Sequence, residues 1–487
     1  MAESLKNKIM KGLSWNFADT AVNQILRFVI GLVLARMLMP RDYGLIGIAL
    51  IFVSIFEQIV DGGFTNALIQ KKVPSEKDYG TAFFCNLTIS LFLYLILFIF
   101  APLIADFFDE EQLVLIIRVI STIILIDAFM FVQKAKYTKL MDFKVLAKAS
   151  VGSSIISGII GILMAYMNFG VWALVFQQMT RHFFNTIIMW FTSKGFVFTF
   201  SKDSFKTLFS FGSKLMMSDL LDSVYKQIYQ IVIGKVYNST TLGLYTRAFQ
   251  FSSLFSVTLS QMLQRVSYPA LSALQDDKDR LLQSYRMLVK SAMFVAFPCM
   301  FCLAAVAKPM MIVLVGEKWL DAVPFLQILC FSMVLTPLMV INMNILKVKG
   351  RSDVYLYLEI AKKIIGFFPI LVGIITRNIY MMLIGCVFEN LIDYALNSYC
   401  SGKYVGYNVK TQVKDILPSF VLALFVSFVL YQMLQLNFVP FQLLILQLLV
   451  GIVLIIVVSE IMKIDAYLNI KTILTSLVHK KTDKPAN

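Results

Sequence analysis

KGLSWNFADTAVNQILRFVIGLVLARMLMPRDYG, residues 11–44, is long and apolar enough to cross a bilayer, yet polar side chains run through it. Asn16, Asp19, Asn23 and Arg27 follow one another at spacings of three or four, which stacks them on one face of a helix. A charge near mid-bilayer costs roughly 2.5–3.5 kcal/mol on insertion scales, so that face should meet protein or water. FGSKLMMSDLLDSVYKQIYQIVIGKVYNSTTLG, residues 211–243, repeats the pattern, with Asp219, Asp222, Lys226 and Gln230 on one face. With a one-residue gap, Asp19 aligns with Asp219, Arg27 with Lys226, Arg36 with Lys235 and Gly44 with Gly243. Two copies of a helix with a cation near its middle predict two halves around one polar cavity.

The rest of the chain fits that reading. Of its 487 residues 59% are hydrophobic and only 15% charged, with a mean hydropathy of +0.77. A soluble domain carries about 45–50% apolar residues and roughly 25% charge, so the sequence predicts an all-α polytopic membrane protein. The first apolar segment is too long for a signal peptide and reads as a retained span. Apolar windows place fourteen spans at 12–38, 44–70, 80–104, 112–133, 146–168, 170–192, 209–236, 244–270, 289–315, 321–347, 354–376, 378–402, 415–436 and 440–462. Spans 1–6 make an N-terminal bundle (1–193), joined by a link at 194–208 to a second bundle (209–403). Spans 13 and 14 (415–462) fall outside the repeat as accessories, followed by a polar tail at 463–487.

The net charge of +15 is a topology signal rather than a nucleic-acid footprint. Lysines and arginines crowd alternate connections, while the opposite ones are acidic or neutral, such as DFFDEE at 106–111. The positive-inside rule then puts both termini in the cytoplasm, with juxtamembrane cations free to meet anionic lipid. KAKYTKLMDFKVLAK (134–148) and LQDDKDRLLQSYRMLVK (274–290) read as short amphipathic helices lying along the membrane surface.

Further charges sit inside the spans. Glu57 and Asp61 are spaced i,i+4 in span 2; Arg118 and Asp127 lie in span 4, Arg265 in span 8, and Glu389 and Asp393 in span 12. Glu359 is placed to pair with Lys363. Arg27 and Lys226, near mid-span at repeat-related positions, point to an anionic group on a cargo, phosphate or carboxylate. Asp19, Glu57, Asp61, Asp219 and Asp222 either balance those cations or bind a coupling proton or sodium ion. No metal, cofactor or catalytic residue is expected. The sequence has no Walker A, HExxH or GxSxG motif, and DDKD at 276–279 reads as a helix N-terminus. The six cysteines lie in or beside apolar runs as small hydrophobes, and two histidines, His182 and His479, leave little for a histidine-based centre.

GLSWNFADTAVNQILRFVIGLVLARML, DGGFTNALIQKK and KLMDFKVLAK, with LGLYTRAFQF, YPALSALQDDKDRLLQSYRMLVK and VGEKWLDAVPFLQILC, resemble bacterial polysaccharide flippases. These are the Wzx-like O-antigen exporters of the multidrug/oligosaccharidyl-lipid/polysaccharide superfamily, and the likeness is to their colanic-acid-exporter branch. The resemblance implies two six-helix bundles around a V-shaped cavity in the bacterial inner membrane. It also implies a lipid-linked oligosaccharide on an undecaprenyl pyrophosphate carrier, passed on to polymerisation and export machinery. Related lipid flippases place arginines on spans 1, 2 and 8. Here Arg27 fills the first role, span 2 offers Glu57 and Asp61 instead, and span 8 offers Arg247 and Arg265. Asn16, Asn23, Gln227 and Gln230 would then touch sugar hydroxyls. A multidrug extruder of the same superfamily is the rival reading; an acidic, aromatic cavity would suit it, and mid-span cations do not. A glycosyltransferase or polymerase would need a nucleotide-sugar domain or a large outer loop, and the sequence shows neither.

Overall fold

The structure, a computed structural model, describes residues 2–193, 198–469 and 471–472, with side chains in the first turns limited to Trp15 and those from Asp19 onward. Residues 194–197 of the link, Asn16's side chain and most of the tail lie outside the described residues.

The chain is an all-α polytopic membrane protein, with no strand among the described residues. It folds as two compact units, 1–243 and 244–487. The first holds α1 (Ala2–Met37), α2 (Pro40–Asp61), α3 (Phe64–Gln70), α4 (Glu76–Phe108), α5 (Leu113–Ile120), α6 (Thr122–Lys139), α7 (Phe143–Tyr166), α8 (Val171–Thr192) and α9 (Lys202–Val236). α10 (Ser239–Ser272) begins at its edge. The second unit continues with α11 (Lys278–Ala305), α12 (Ala307–Leu314), α13 (Ala322–Met333), α14 (Thr336–Val348), α15 (Ser352–Ile365), α16 (Phe367–Thr376), α17 (Ile379–Val405), α18 (Val409–Gln432) and α19 (Pro440–Ile461). Each of the fourteen expected segments is covered by one or two of these helices, several of which overrun its ends. Ten helical stretches among the described residues are long and apolar enough to span a membrane. The segments of α8, α9, α10 and α15–α16 miss that standard through their polar and charged side chains.

Local chemistry sets the breaks. Pro40 opens α2, and Asp42 accepts the Met39 N–H at 2.9 Å, closing the start of the helix. Ser75 and Asp78 cap α4 reciprocally, while Lys71 Nζ donates to both Asp78 oxygens at 2.8 and 2.9 Å. Gly62 and Gly63, at φ 52° and 69°, separate α2 from α3. A side chain on Gly63 would strike the backbone of Gly212, so α9 can lie directly against that bend. α9, whose stripe repeats that of α1, packs on α2, α3 and α4 within the first unit. Gly44 and Gly243, aligned by the repeat, mark a second tight crossing, where a side chain on either would meet backbone carbonyls of Ser239 or Pro40.

The α4–α5 turn fastens the same end. Arg41 donates to Glu110 at 2.6 Å, Lys235 pairs with Asp109 at 2.8 Å, and the Ser239 hydroxyl donates to Glu110. Burial pushes the Glu110 carboxyl up, but the Arg41 guanidinium and Ser239 hydroxyl outweigh it and hold it below the ordinary range.

Two expected surface helices are not separate elements. Asp142 caps α7, after a turn at Met141 with φ 58°, and Asp277 caps α11 by accepting the Arg280 N–H at 3.1 Å. Each capped helix then runs without interruption into its span, because no glycine or proline breaks it there. The polar face of α11 is used inside the second unit. Asp415 of α18 accepts both Arg286 Nε and Nη2 at 2.8 Å and the Tyr407 hydroxyl at 2.8 Å. Tyr285, Asn342 and Gln412 close a buried hydrogen-bond network beside it. α18, read as an accessory, is thus docked on α11. Glu359 pairs with Lys362 on the same helix face.

Candidate functional site

α7 presents small residues to both neighbours, which lets α1 and α8 approach it closely. A side chain on Gly158 would strike Ile30 of α1, and one on Gly161 would strike Gln177 of α8. Ser154 and Ser150 lie on the same α7 face as Gly158. Asn23, 6% exposed, accepts the Ser154 hydroxyl at 2.7 Å and donates to Asp19 Oδ1 at 2.6 Å. The inner part of the α1 stripe is therefore fixed against α7. Arg27, one turn on, is exposed and near enough to Asp19 to feel its charge.

The two span-2 carboxylates part company. Asp61 stays local, accepting the hydroxyl and the N–H of Thr65. Glu57 faces Asp127 of α6 and His182 of α8, where α2, α6 and α8 pack together. One ligand-type atom from each of these three lies within 4.8 Å of the others. His182 Nδ1 stands 2.8 and 2.9 Å from the two Asp127 oxygens, a geometry in which an ionised carboxylate accepts from an Nδ1–H. Arg181 adds a positive charge next to Glu57 and Asp127 and lies within electrostatic reach of Arg27.

One turn further along α6 and α8 opens a cavity of about 360 Å³. Its wall includes Asp19, Met130, Lys134, Ser150 and Asn185. Asn185 Nδ2 donates to the Met130 sulfur at 3.0 Å, in register with the Asp127–His182 pair.

α9 carries the repeat-related groups. Lys226 forms an i,i+4 ion pair with Asp222 at 2.6 Å, with 70% of its side chain exposed. Gln227 Nε2 donates to the Ser54 hydroxyl of α2 at 3.0 Å. Asp219 is exposed and Gln230 half-buried. In the second unit Arg265 is exposed on α10, whereas Arg247 is 3% exposed, lies over the Trp319 ring at 5.3 Å and donates to Gln250 at 2.8 Å. The structure thus brings together Asp19 with Asn23, and Gln227 with α2.

Asp127, Arg181 and His182 were not singled out from the sequence as a site, and their juxtaposition with Glu57 is the main addition. The one available signal is the Arg-His pair in the middle of an apolar segment, at 181–182. The arrangement can hold and transfer a proton. It contains no nucleophile set against a base, and the cysteines are unpaired thiols.

Similar proteins frame these features. The teichuronic acid biosynthesis protein TuaB of Bacillus subtilis (strain 168) is 24% identical over 424 residues, 86% of this chain and 87% of that protein. The succinoglycan biosynthesis transport protein ExoT of Rhizobium meliloti (strain 1021) is 27% identical over 333 residues, 68% of this chain and 67% of that one. The lipopolysaccharide biosynthesis protein WzxC of Escherichia coli (strain K12) is 22% identical over 430 residues, 86% of each. Among solved structures, the lipid II flippase MurJ in an inward closed conformation shares the fold. Its TM-score is 0.70 at 18% identity, covering 93% of this chain and 99% of that chain. An inward-facing multidrug resistance transporter of the MATE family gives 0.60 at 15% identity, covering 79% and 94%. The polysaccharide biosynthesis protein family matches residues 33–324, more than half of the sequence and most of the helices just described, and the chain belongs to that family.

Proposed function

We propose that this protein turns an oligosaccharide repeat unit, linked to undecaprenyl pyrophosphate, from the cytoplasmic to the periplasmic leaflet for export as surface polysaccharide. It works in the cytoplasmic membrane with both termini on the cytoplasmic side, by alternating access of its two bundles and without covalent chemistry. Membership of the polysaccharide biosynthesis protein family is the observation that carries this reading. The exposed cations Arg27 and Lys226, on polar helix faces, support it, because a pyrophosphate crossing a bilayer needs counter-charge. Gln230, half-buried on the α9 face, suits a sugar hydroxyl, whereas Asn23 is held by Ser154 and Asp19 and Gln227 by Ser54. The cycle is linked to binding of a proton or sodium ion, and the product passes to polymerising machinery.

The test is flipping of a fluorescent lipid-linked oligosaccharide in reconstituted vesicles. Arg27→Ala/Lys226→Ala is expected to lose at least about tenfold in rate, one charge-assisted contact being worth roughly 1.5–3 kcal/mol. Undiminished flipping by the double variant refutes the phosphate role. A folded wild type that flips no sugar head but expels organic cations establishes the drug-exporter reading in its place.

A further inference from the structure

We infer that Glu57, Asp127 and His182 form a proton-binding site at the junction of α2, α6 and α8, reached through the cavity at the α6–α7 end of the bundle. The inference rests on the flippase reading only for the use made of the proton.

Charge balance is the first argument. Arg181 is the near cation for both Glu57 and Asp127, with Lys134 farther out at the cavity wall, so the two carboxylates outnumber the cation packed among them. Around the site, Arg27 also acts on Asp19, and Lys134 also acts on Asp61, which meets Asp219 of α9. Lys134 reaches Glu57 as well, but it stands at the exposed cavity wall. Arg118 of α5 donates to the Phe98 carbonyl at 3.2 Å, away from the triad. α7 brings the hydroxyls of Ser150 and Ser154 to this region, and its cation Lys148 lies beside Asp19 rather than the triad. An uncompensated charge in a bundle interior is costly, and one bound proton removes it.

The donor set speaks against hard cations. Sodium, magnesium and calcium are hard ions that favour several oxygen ligands, and this site offers two carboxylates and an imidazole. Asp127 already accepts an N–H with both oxygens. Imidazole is also the side chain whose ordinary charge change falls between about pH 5 and 8.

Access is the third argument. Met130 and Asn185 on the cavity wall stand three residues beyond Asp127 and His182, so the wall is the next helical turn after the triad. Asn185 Oδ1 is buried there and accepts from no protein donor, and Asp19 and Lys134 make the rest of the wall polar. The polar cavity therefore ends one helical turn from the triad, which is the distance a proton has left to cover inside the bundle.

The arrangement fixes the sign of coupling. An anionic headgroup drawn to Arg27 and Arg181 takes their charge away from the triad, which then binds its proton more tightly. By linkage, proton and pyrophosphate strengthen each other's binding.

Two histidines in the chain make the test direct. Full-length protein carrying His479→Asn and labelled with ¹⁵N-histidine gives one imidazole spectrum, that of His182, in lipid nanodiscs. Its Nδ1 is expected to report a proton donated to Asp127, with proton binding at the triad about tenfold weaker in Glu57→Gln and Asp127→Asn and restored by Glu57→Asp. Calorimetry with farnesyl pyrophosphate, run in buffers of different ionisation enthalpy, is expected to show proton uptake on binding, lost in Glu57→Gln. An identical His182 titration in wild type and both neutral variants overturns the proposal. So does a stoichiometric divalent metal that purifies with wild type and is lost from the variants. Farnesyl pyrophosphate that binds without proton uptake also overturns it. A wild type that titrates as expected yet binds no farnesyl pyrophosphate keeps the proton site and overturns the flippase reading.

Discussion

Removing one carboxylate should loosen the thirteenth span from the second unit. Asp415, with 7% of its side chain exposed, accepts three hydrogen bonds at 2.8 Å, two from Arg286 and one from Tyr407. In Asp415→Ala, Lys290 keeps its pair with Asp465 at 2.9 Å and adds little to the loss. Arg286, 41% exposed, rehydrates, so its share is screened to about 1 kcal/mol. Tyr407 is 1% exposed and its hydroxyl is left without this acceptor, a cost of about 1–3 kcal/mol. The sum, about 2–4 kcal/mol, corresponds to roughly 30- to 700-fold faster local opening, since each 1.4 kcal/mol is about tenfold. Amide hydrogen exchange over residues 407–418 of detergent-solubilised protein reads that opening. Tyr407→Phe, which keeps the Arg286 fork, is expected to show a smaller acceleration. Unchanged exchange in Asp415→Ala would mean that apolar packing alone docks α18, and the polar network would then be incidental.

Glu110 gives a pH-dependent prediction. Its folded carboxyl is held below the ordinary range, so the Arg41 contact stabilises above the unfolded value and is lost as pH falls through the folded one. Thermal stability should therefore drop more for wild type than for Glu110→Gln between about pH 6 and pH 3, and parallel curves would count against the contact. Gly63→Ala forces a left-handed residue into the backbone of Gly212, at a cost of at least about 1–2 kcal/mol, and should lower thermal stability. A variant as stable as wild type would show that α9 does not need this crossing. Asn23→Leu removes the acceptor of Ser154 and a donor to Asp19, with an expected loss of about 1–3 kcal/mol. A more stable Asn23→Leu would instead mark Asn23 as retained for cargo.

The spans were legible because bilayer thickness fixes their length, and the fourteen windows correspond to the helical segments found. Helix starts were legible where a cap announces itself, as at DDKD, where Asp277 closes α11. The fate of the polar faces was not. Arg286 and Lys290 look like a solvated surface stripe until Asp415, more than a hundred residues later, is placed against them. Asp127 was visible as a charge in span 4, but its partner His182 lies fifty-five positions on. No periodicity within either helix encodes which faces meet. The packing of α9 on the first unit was hidden for the same reason: Gly63 and Gly212 look like ordinary helix punctuation until the two backbones touch.

The segments that fall short as membrane spans are where the chemistry gathers. α8 carries Arg181 and His182, and α9 carries Lys226 and Gln227, and neither is apolar enough to be counted among the ten. Their polar groups lower the drive to enter lipid, so they must be held by neighbours. Asp127 holds His182, Ser54 holds Gln227, and the glycine crossings at 44/243 and 63/212 fix α9 and the start of α10 by shape. α19, with exposed Ile452, Val453 and Ile456, needs no such fastening because lipid solvates it. A transporter cannot make its working helices apolar and still bind a charged cargo. It can surround them with apolar ones, and that division of labour explains why the helices hardest to recognise as spans carry the candidate site.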